Sequence, residues 1–204
     1  MKVLIISGSR NREGKTARIA GAVARGVEKA GGQCEILFLT EQKLERCRQC
    51  NPDGWGICIK DHRCIIEDDF TALTDKIQAA NLLVFANPVY FGDLSESLKS
   101  FLDRFRRIGF WRIIQQINRG GLPGMPPPPQ GLPAVGICFA GGSGNGTTSA
   151  LAILERTLQT CGFDCVDMIT VRRQNLEMKL PLLEKVGEWL VTRPTSGPPM
   201  APPR

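Results

Sequence analysis

Apolar residues along this chain alternate between two rhythms. Short, nearly continuous apolar runs lie at 3–7, 34–39, 82–87, 134–139 and 165–171, which is the length and β-branched content of buried strands. Between them, apolar positions recur at the three- and four-residue spacing of amphipathic helices. Ile19, Val23 and Val27 mark the first helix, stopped by Gly31-Gly32. Phe70, Leu73 and Ile77 mark the second, entered through Asp68-Asp69. Leu94, Leu98, Phe101, Leu102 and Phe105 mark the third, with Asp93 and Glu96 spaced as an Asp version of the capping box. Leu151, Leu154 and Leu158 mark the fourth, ending before Gly162, and Leu180, Leu183 and Leu190 the last, near 177–191. Strands apolar on both faces, alternating with helices, predict a parallel sheet covered on both sides, a doubly wound α/β domain. Ligands in this class sit beyond the carboxyl ends of the strands, so the loops after the strands should carry the chemistry.

Two segments leave the rhythm. Residues 108–133 link the third helix to the fourth strand and end in GLPGMPPPPQGLP, too rich in Pro and Gly to be helical. Before that run, WRIIQQIN (111–118) has the pattern of a short extra helix. A lid, a subunit contact and a surface loop are all open readings of the insertion. The tail RPTSGPPMAPPR (193–204) has nothing to bury and is expected to be disordered, leaving one domain over 1–192.

A length of 204 residues, 42% of them hydrophobic, suits one well-buried domain. The run in MKVLIISGS is too short for a signal-peptide core, and no segment approaches the ~20 apolar residues of a membrane span. The expected location is cytoplasmic, where eight cysteines point to metal binding, redox chemistry or burial rather than disulfides. A net charge of +6 suits anionic small ligands. Nucleic acid is disfavoured, because aromatics are 6% and the basic residues are scattered. The one dense basic run, Arg104 to Arg107, reads as a solvated face ending a helix.

The segment VLIISGSRNREGKT (3–16) is a strand that feeds a small, polar loop into a helix N-terminus, which is an anion site. Ser9, Asn11 and Thr16 offer hydroxyl and amide donors, while Arg10 and Lys15 offer charge. It is not a P-loop, since Gly8 and Gly14 enclose five residues and LLVFANPVY (82–90) carries no Mg²⁺-holding carboxylate. Nor is G-x-G-x-x-G present there. A phosphate monoester fits such a loop better than a triphosphate; an ordinary βα turn is the plainer alternative. Two more loops should meet it. NPVYFGDLSES (87–97) offers stiff Pro88, flat Tyr90 and Phe91, and permissive Gly92. FAGGSGNGTT (139–148), with Gly142, Gly144 and Gly146, is mostly backbone, against which a flat ring can lie.

GSRNREGKT, then ANPVYFGDLSESLKSFLDRF, then FAGGSGNG resembles the flavodoxin-like NAD(P)H-dependent FMN reductases, and within them the iron–sulfur flavoproteins. The resemblance runs over roughly residues 1–190 and is weakest at 108–133. It implies a five-stranded sheet in the order 2-1-3-4-5, and FMN with its phosphate on Ser9, Arg10, Asn11, Lys15 and Thr16. It places the isoalloxazine against Pro88, Val89, Tyr90, Phe91 and Gly92, near Ala140, Gly141, Gly142 and Gly144. Lys15 departs from the family, where Asn is common. The implied activity takes hydride from NAD(P)H to a quinone, flavin, metal or protein acceptor, with no catalytic side chain beyond the flavin. Two alternatives stand beside it: an electron carrier reduced by a partner such as ferredoxin, and a zinc protein that has lost flavin. The family also implies a homo-oligomer, dimer or tetramer.

The loop after the second strand holds Cys47, Cys50, Cys58 and Cys64 as C-x2-C-x7-C-x5-C. Four thiolates suit tetrahedral Zn²⁺ or a [4Fe-4S] cluster, and free or redox-active thiols are a third reading. The iron–sulfur flavoproteins carry a [4Fe-4S] cluster on a compact cysteine motif in this loop, whose second and third cysteines are only two residues apart; NPDGWGI is therefore a departure. His62 reads as a loop histidine, and Cys34, Cys138, Cys161 and Cys165 as small buried hydrophobes.

Overall fold

The computed structural model describes residues 1–52, 54, 56–61, 63–120 and 131–193, with backbone alone at 59–60 and 109–120. The tail beyond Arg193, residues 121–130 of the Pro/Gly run, and His62 lie outside the described residues.

Five strands, β1 (Lys2–Ser7), β2 (Gln33–Phe38), β3 (Leu82–Pro88), β4 (Leu132–Ala140) and β5 (Phe163–Arg172), form one sheet in the order β2-β1-β3-β4-β5. Every neighbouring pair is parallel, with Ile5 opposite Ile36 and Val84, and Val84 opposite Val135. The helices are α1 (Lys15–Lys29), the short α2 (Cys58–Asp61), α3 (Phe70–Ala79), α4 (Glu96–Gly120), α5 (Thr147–Thr160) and α6 (Leu176–Thr192). This is the flavodoxin-like architecture.

Alternation along the central strands splits the core in two. Leu4, Ile6, Leu83 and Phe85 pack with residues of α3, α4 and α5. Val3, Ile5, Leu82 and Val84 pack with α1 and α6 on the other face. Within that second layer α1 and α6 touch backbone to backbone. A Cβ on Gly26 would lie 1.9 Å from the Glu184 carbonyl oxygen, and one on Gly187 would lie 2.2 Å from that of Val23. Only glycine permits so close a crossing.

Two local expectations change. The segment 108–120 is no linker, because α4 runs unbroken from Glu96 to Gly120 and takes in WRIIQQIN. Gly109 is the sole glycine inside it before Gly120, and one interior glycine costs a helix only about 1 kcal/mol. The start of α4 is capped by Ser95 rather than by Asp93. Ser95 Oγ accepts the Leu98 N–H at 3.4 Å, whereas Asp93 Oδ1 accepts that of Leu94 at 2.6 Å and belongs to the preceding turn.

Candidate functional site

Because β1 and β3 are neighbours whose following helices lie on opposite faces, their carboxyl ends open a crevice between them. The loop after β1 is built by its own polar groups. Ser9 Oγ accepts the Asn11 N–H at 3.2 Å, Asn11 Oδ1 accepts that of Glu13 at 2.9 Å, and the Asn11 carbonyl accepts that of Gly14 at 3.2 Å. Thr40 Oγ1 ties the loop to the next one by donating to the Ser9 carbonyl at 3.1 Å. This winding delivers the chain into α1, whose N-cap, Gly14, supplies no side-chain acceptor. The first-turn N–H groups of α1 have no intrahelical acceptors. No acidic residue stands in that turn, so its positive end is free to meet an anion.

The loop after β3 makes a tight reversal. Tyr90 and Asp93 exchange backbone hydrogen bonds at 3.2 and 2.9 Å, with Phe91 (φ 53) and Gly92 (φ 77) both left-handed between them. That is the signature of a type I′ turn. Phe91 projects wholly into solvent, an unusual posture for a large aromatic residue. The turn rests on the first turn of α5, where Ser149 Oγ donates to the Gly92 carbonyl at 2.9 Å.

These three loops border one open cleft of ≈ 620 Å³, within the size range of cofactor sites. Ser9, Asn11, Lys15, Thr16, Pro88, Val89, Tyr90, Ala140, Gly141 and Gly142 line it together. Gly14, Phe139, Ser143 and Asn145 join them, none of which the sequence marks out as a site residue. Asn145 and Ser143 lie inside the glycine-rich string already singled out, so their neighbourhood was the available signal.

Four expected residues stand elsewhere. Arg10 is exposed and pairs with Glu96 at 3.4 Å, a carboxylate that Arg46 also holds at 2.5 Å. Phe91 and Gly92 form the outer turn, and Gly144 is buried behind the cleft, where a Cβ would come 2.4 Å from Gln174 Oε1. Gln174 Nε2 in turn donates to the Ser143 carbonyl at 2.7 Å, fixing the glycine loop from below. Gly142 is different: its φ of 44 suits glycine, and nothing lies within 4 Å of where its Cβ would be.

A second cavity lies beneath the loop after β2. Cys47, Cys50, Cys58 and Cys64 all line it, so the seven residues between Cys50 and Cys58 do not take Cys58 away from the others. Gly56 brings the chain back, sitting so close that a Cβ would be 3.1 Å from Cys50 Cβ. Among the described residues no three Cys, His, Asp or Glu side chains converge to hold one metal ion; the thiols border a space rather than a point.

Arg48, Arg104 and Arg107 complete that cavity's walls, with Ile57, Ile65, Ile66 and Ile108. The solvated basic face expected at Arg104 to Arg107 is therefore corrected. Arg104 is 2% exposed and Arg107 8%, and only Arg106 of the three faces water. Three-residue spacing puts Arg104 and Arg107 on one side of α4, and the cysteine loop covers it. The signal was in the sequence, since Arg104 falls in the helical stripe of Phe101, Phe105 and Ile108.

Arg104 Nη1 and Nη2 reach Asp68 Oδ2 and Oδ1 at 2.6 and 3.0 Å, and Nη1 also donates to the Glu45 carbonyl at 2.9 Å. Burial works against the Asp68 charge, but Arg104 and the N–H groups of Glu45 and Phe70 outweigh it, leaving the carboxyl below its ordinary range. Burial likewise opposes the guanidinium charge, and hydrogen bonds to Asp68 and Cys64 outweigh it, so Arg104 is a fixed cation.

The remaining thiols are of another kind. Cys138, Cys161 and Cys165 are buried, and burial pushes each up to about 12. Half-buried Cys34 is also pushed up to about 12, by burial first and then by Glu28 and Glu35.

A profile of the family described as NADPH-dependent FMN reductase matches residues 1–176. An iron-sulfur flavoprotein of Methanocaldococcus jannaschii is 35% identical over 112 residues, 54% of this chain and 55% of that protein. The chain spans about half the length of the curated relatives it matches. Among solved structures, an NAD(P)H:quinone oxidoreductase from Methanothermobacter marburgensis superposes with a TM-score of 0.63 at 17% identity, covering 97% of this chain and 99% of that one. An archaeal flavodoxin superposes with a TM-score of 0.59 at 12% identity, covering 94% and 96%. At these identities the superpositions establish the fold. No helix among the described residues is long and apolar enough to cross a membrane.

Proposed function

We propose that this chain, which belongs to the NADPH-dependent FMN reductase family, is an oxidoreductase that holds FMN in the cleft at the carboxyl ends of β1, β3 and β4. The observation that carries this is the convergence of three loops on one cleft, with the uncapped N-terminus of α1 at one end and flat, backbone-rich walls at the other. The residues present fit the cofactor. A phosphate would be held by the first-turn N–H groups of α1, the Thr16 and Ser9 hydroxyls and the Asn11 amide, with Lys15 adding charge. Pro88, Val89, Tyr90 and the backbone of Ala140, Gly141 and Gly142 would hold the ring. Gly142 leaves room that a side chain would fill. One phosphate site favours FMN over FAD.

When bound, FMN supplies hydride acceptance at N5 and onward release of electrons. The chain orients it and leaves a face open to NADH or NADPH. No acid or base among the cleft side chains is needed for that transfer. The acceptor is a quinone, free flavin, metal or protein, and the chain works as a cytoplasmic homo-oligomer. Light scattering on the purified protein tests the assembly.

The cysteine cavity supports a [4Fe-4S] cluster in this reading. Four thiols around a space suit a cubane, which offers each cysteine its own iron, better than Zn²⁺, which draws four sulfurs onto one ion. Such a cluster takes electrons singly, which would match a two-electron hydride donor to a one-electron acceptor.

Calorimetric titration with FMN, FAD and riboflavin, followed by stopped-flow reduction with NADH and NADPH, tests the main reading. FMN should bind tightest and be reduced. Equal affinity for riboflavin would remove the phosphate site. Flavin that stays oxidised with both nucleotides but is reduced by ferredoxin would make the protein an electron carrier.

A further inference from the structure

The cysteine cavity has a wall that its four thiols do not explain. Arg104 is buried under the loop on α4, its guanidinium 4.1 Å from the Phe70 ring centroid. An arginine has five N–H donors. Three of the hydrogen bonds they can make go to Asp68 and the Glu45 carbonyl. Nε is buried and has no hydrogen-bond partner among the described residues. Cys64 lines the same cavity as this guanidinium and acts on its charge, helping to hold it protonated.

A buried ion pair is a poor way to stabilise a fold, because apolar residues of similar volume do as well or better. A buried donor left without an acceptor is a further cost. Against a ligand that carries negative charge on its sulfurs, the same donor is favourable. Asp68 also fixes both ends of the guanidinium fork, so the group cannot rotate away to another acceptor. Lysine could supply the charge but not that fixed geometry.

We propose that Arg104 is a positioning residue for the cysteine-bound cluster: clamped by Asp68, its guanidinium donates to the sulfur of Cys64 and raises the cluster's reduction potential. The inference rests on the cluster reading above. The physical reason is that reduction adds negative charge, and hydrogen bonds to the ligand sulfurs stabilise the more negative state. Arg48 and Arg107, on the same walls, add to the positive surroundings.

The test compares wild-type, Arg104→Gln and Arg104→Lys proteins prepared without oxygen. Bound FMN, iron and acid-labile sulfide are counted, and the cluster and flavin midpoints are read by dithionite titration followed by EPR and visible absorption. Arg104→Gln should keep FMN and its flavin midpoint while the cluster midpoint falls. Arg104→Lys should fall less, since charge remains but the fork is lost. An unmoved cluster midpoint in either loaded variant overturns the role of Arg104 and leaves the cluster reading intact. If Arg104→Gln does not fold or load, the Arg104→Lys midpoint decides alone. Wild-type protein with zinc and no sulfide overturns both.

Discussion

Asn87, fully buried at the end of β3, accepts the backbone N–H of Ser95 on its Oδ1 at 2.9 Å. The bond ties the last residues of a strand to the cap of α4 and closes the loop that carries Pro88, Val89 and Tyr90. Nδ2 faces the buried Cys138 sulfur at 3.8 Å, so the amide orientation serves the loop. Asn87→Leu leaves a buried N–H without an acceptor. It should destabilise the protein by about 1–3 kcal/mol and weaken FMN binding as the loop opens. Urea unfolding and FMN titration measure the two effects separately.

Thr16 is 4% exposed and lines the cleft in the first turn of α1. Thr16→Ala should weaken FMN by about 1.5–3 kcal/mol, the scale of one hydrogen bond to a charged group. Riboflavin, which has no phosphate, should bind the variant and the parent alike. Calorimetry with both ligands decides whether the hydroxyl meets the phosphate.

The α1–α6 crossing predicts opposite outcomes for two glycines of one helix. Gly26→Ala drives a methyl into the Glu184 backbone, which no rotamer change can relieve, and should cost about 3 kcal/mol. At Gly21 a Cβ meets only the Arg25 guanidinium, at 3.7 Å, so Gly21→Ala should stabilise by about 0.5–1 kcal/mol. Thermal unfolding of the two variants checks the contrast.

Asp68 makes stability depend on acid. Its carboxyl is held below its ordinary range in the folded protein, so its contribution is complete above the unfolded-chain value of about 4. That contribution is lost as pH falls through the folded value. Asp68→Asn should lose about 3–5 kcal/mol near neutrality, because Arg104 stays buried without its carboxylate. Its unfolding free energy should also fall less steeply than the parent's below about pH 4. Urea denaturation between neutrality and acid measures both.

Thiol chemistry separates the eight cysteines. After iron and zinc are removed by a chelator, Cys47, Cys50, Cys58 and Cys64, none of them buried, should alkylate in the folded protein. Cys138, Cys161 and Cys165 should resist until the protein unfolds, since burial keeps them protonated and out of reach. Mass mapping of the alkylated sites reads the outcome residue by residue.

The sequence by itself determined the alternation of strand and helix, the polar loop before α1, the aromatic and glycine-rich loops, and the cysteine spacing. These are local properties, written in period and composition within a few residues of each other. The strand order came only through the family resemblance, because which strand lies beside β1 depends on contacts some 80 residues apart, such as Ile5 with Val84. Tertiary structure alone decided that Arg10 turns to Glu96, that Gly144 packs on Gln174 and that Gly26 exists for a helix crossing. It also supplied the partner that lets Arg104 be buried, where the helical stripe of Phe101, Phe105 and Ile108 only places it on the inner side of α4. A run of arginines reads as a surface until Asp68, 36 residues earlier in the chain, is brought opposite one of them and makes its burial affordable.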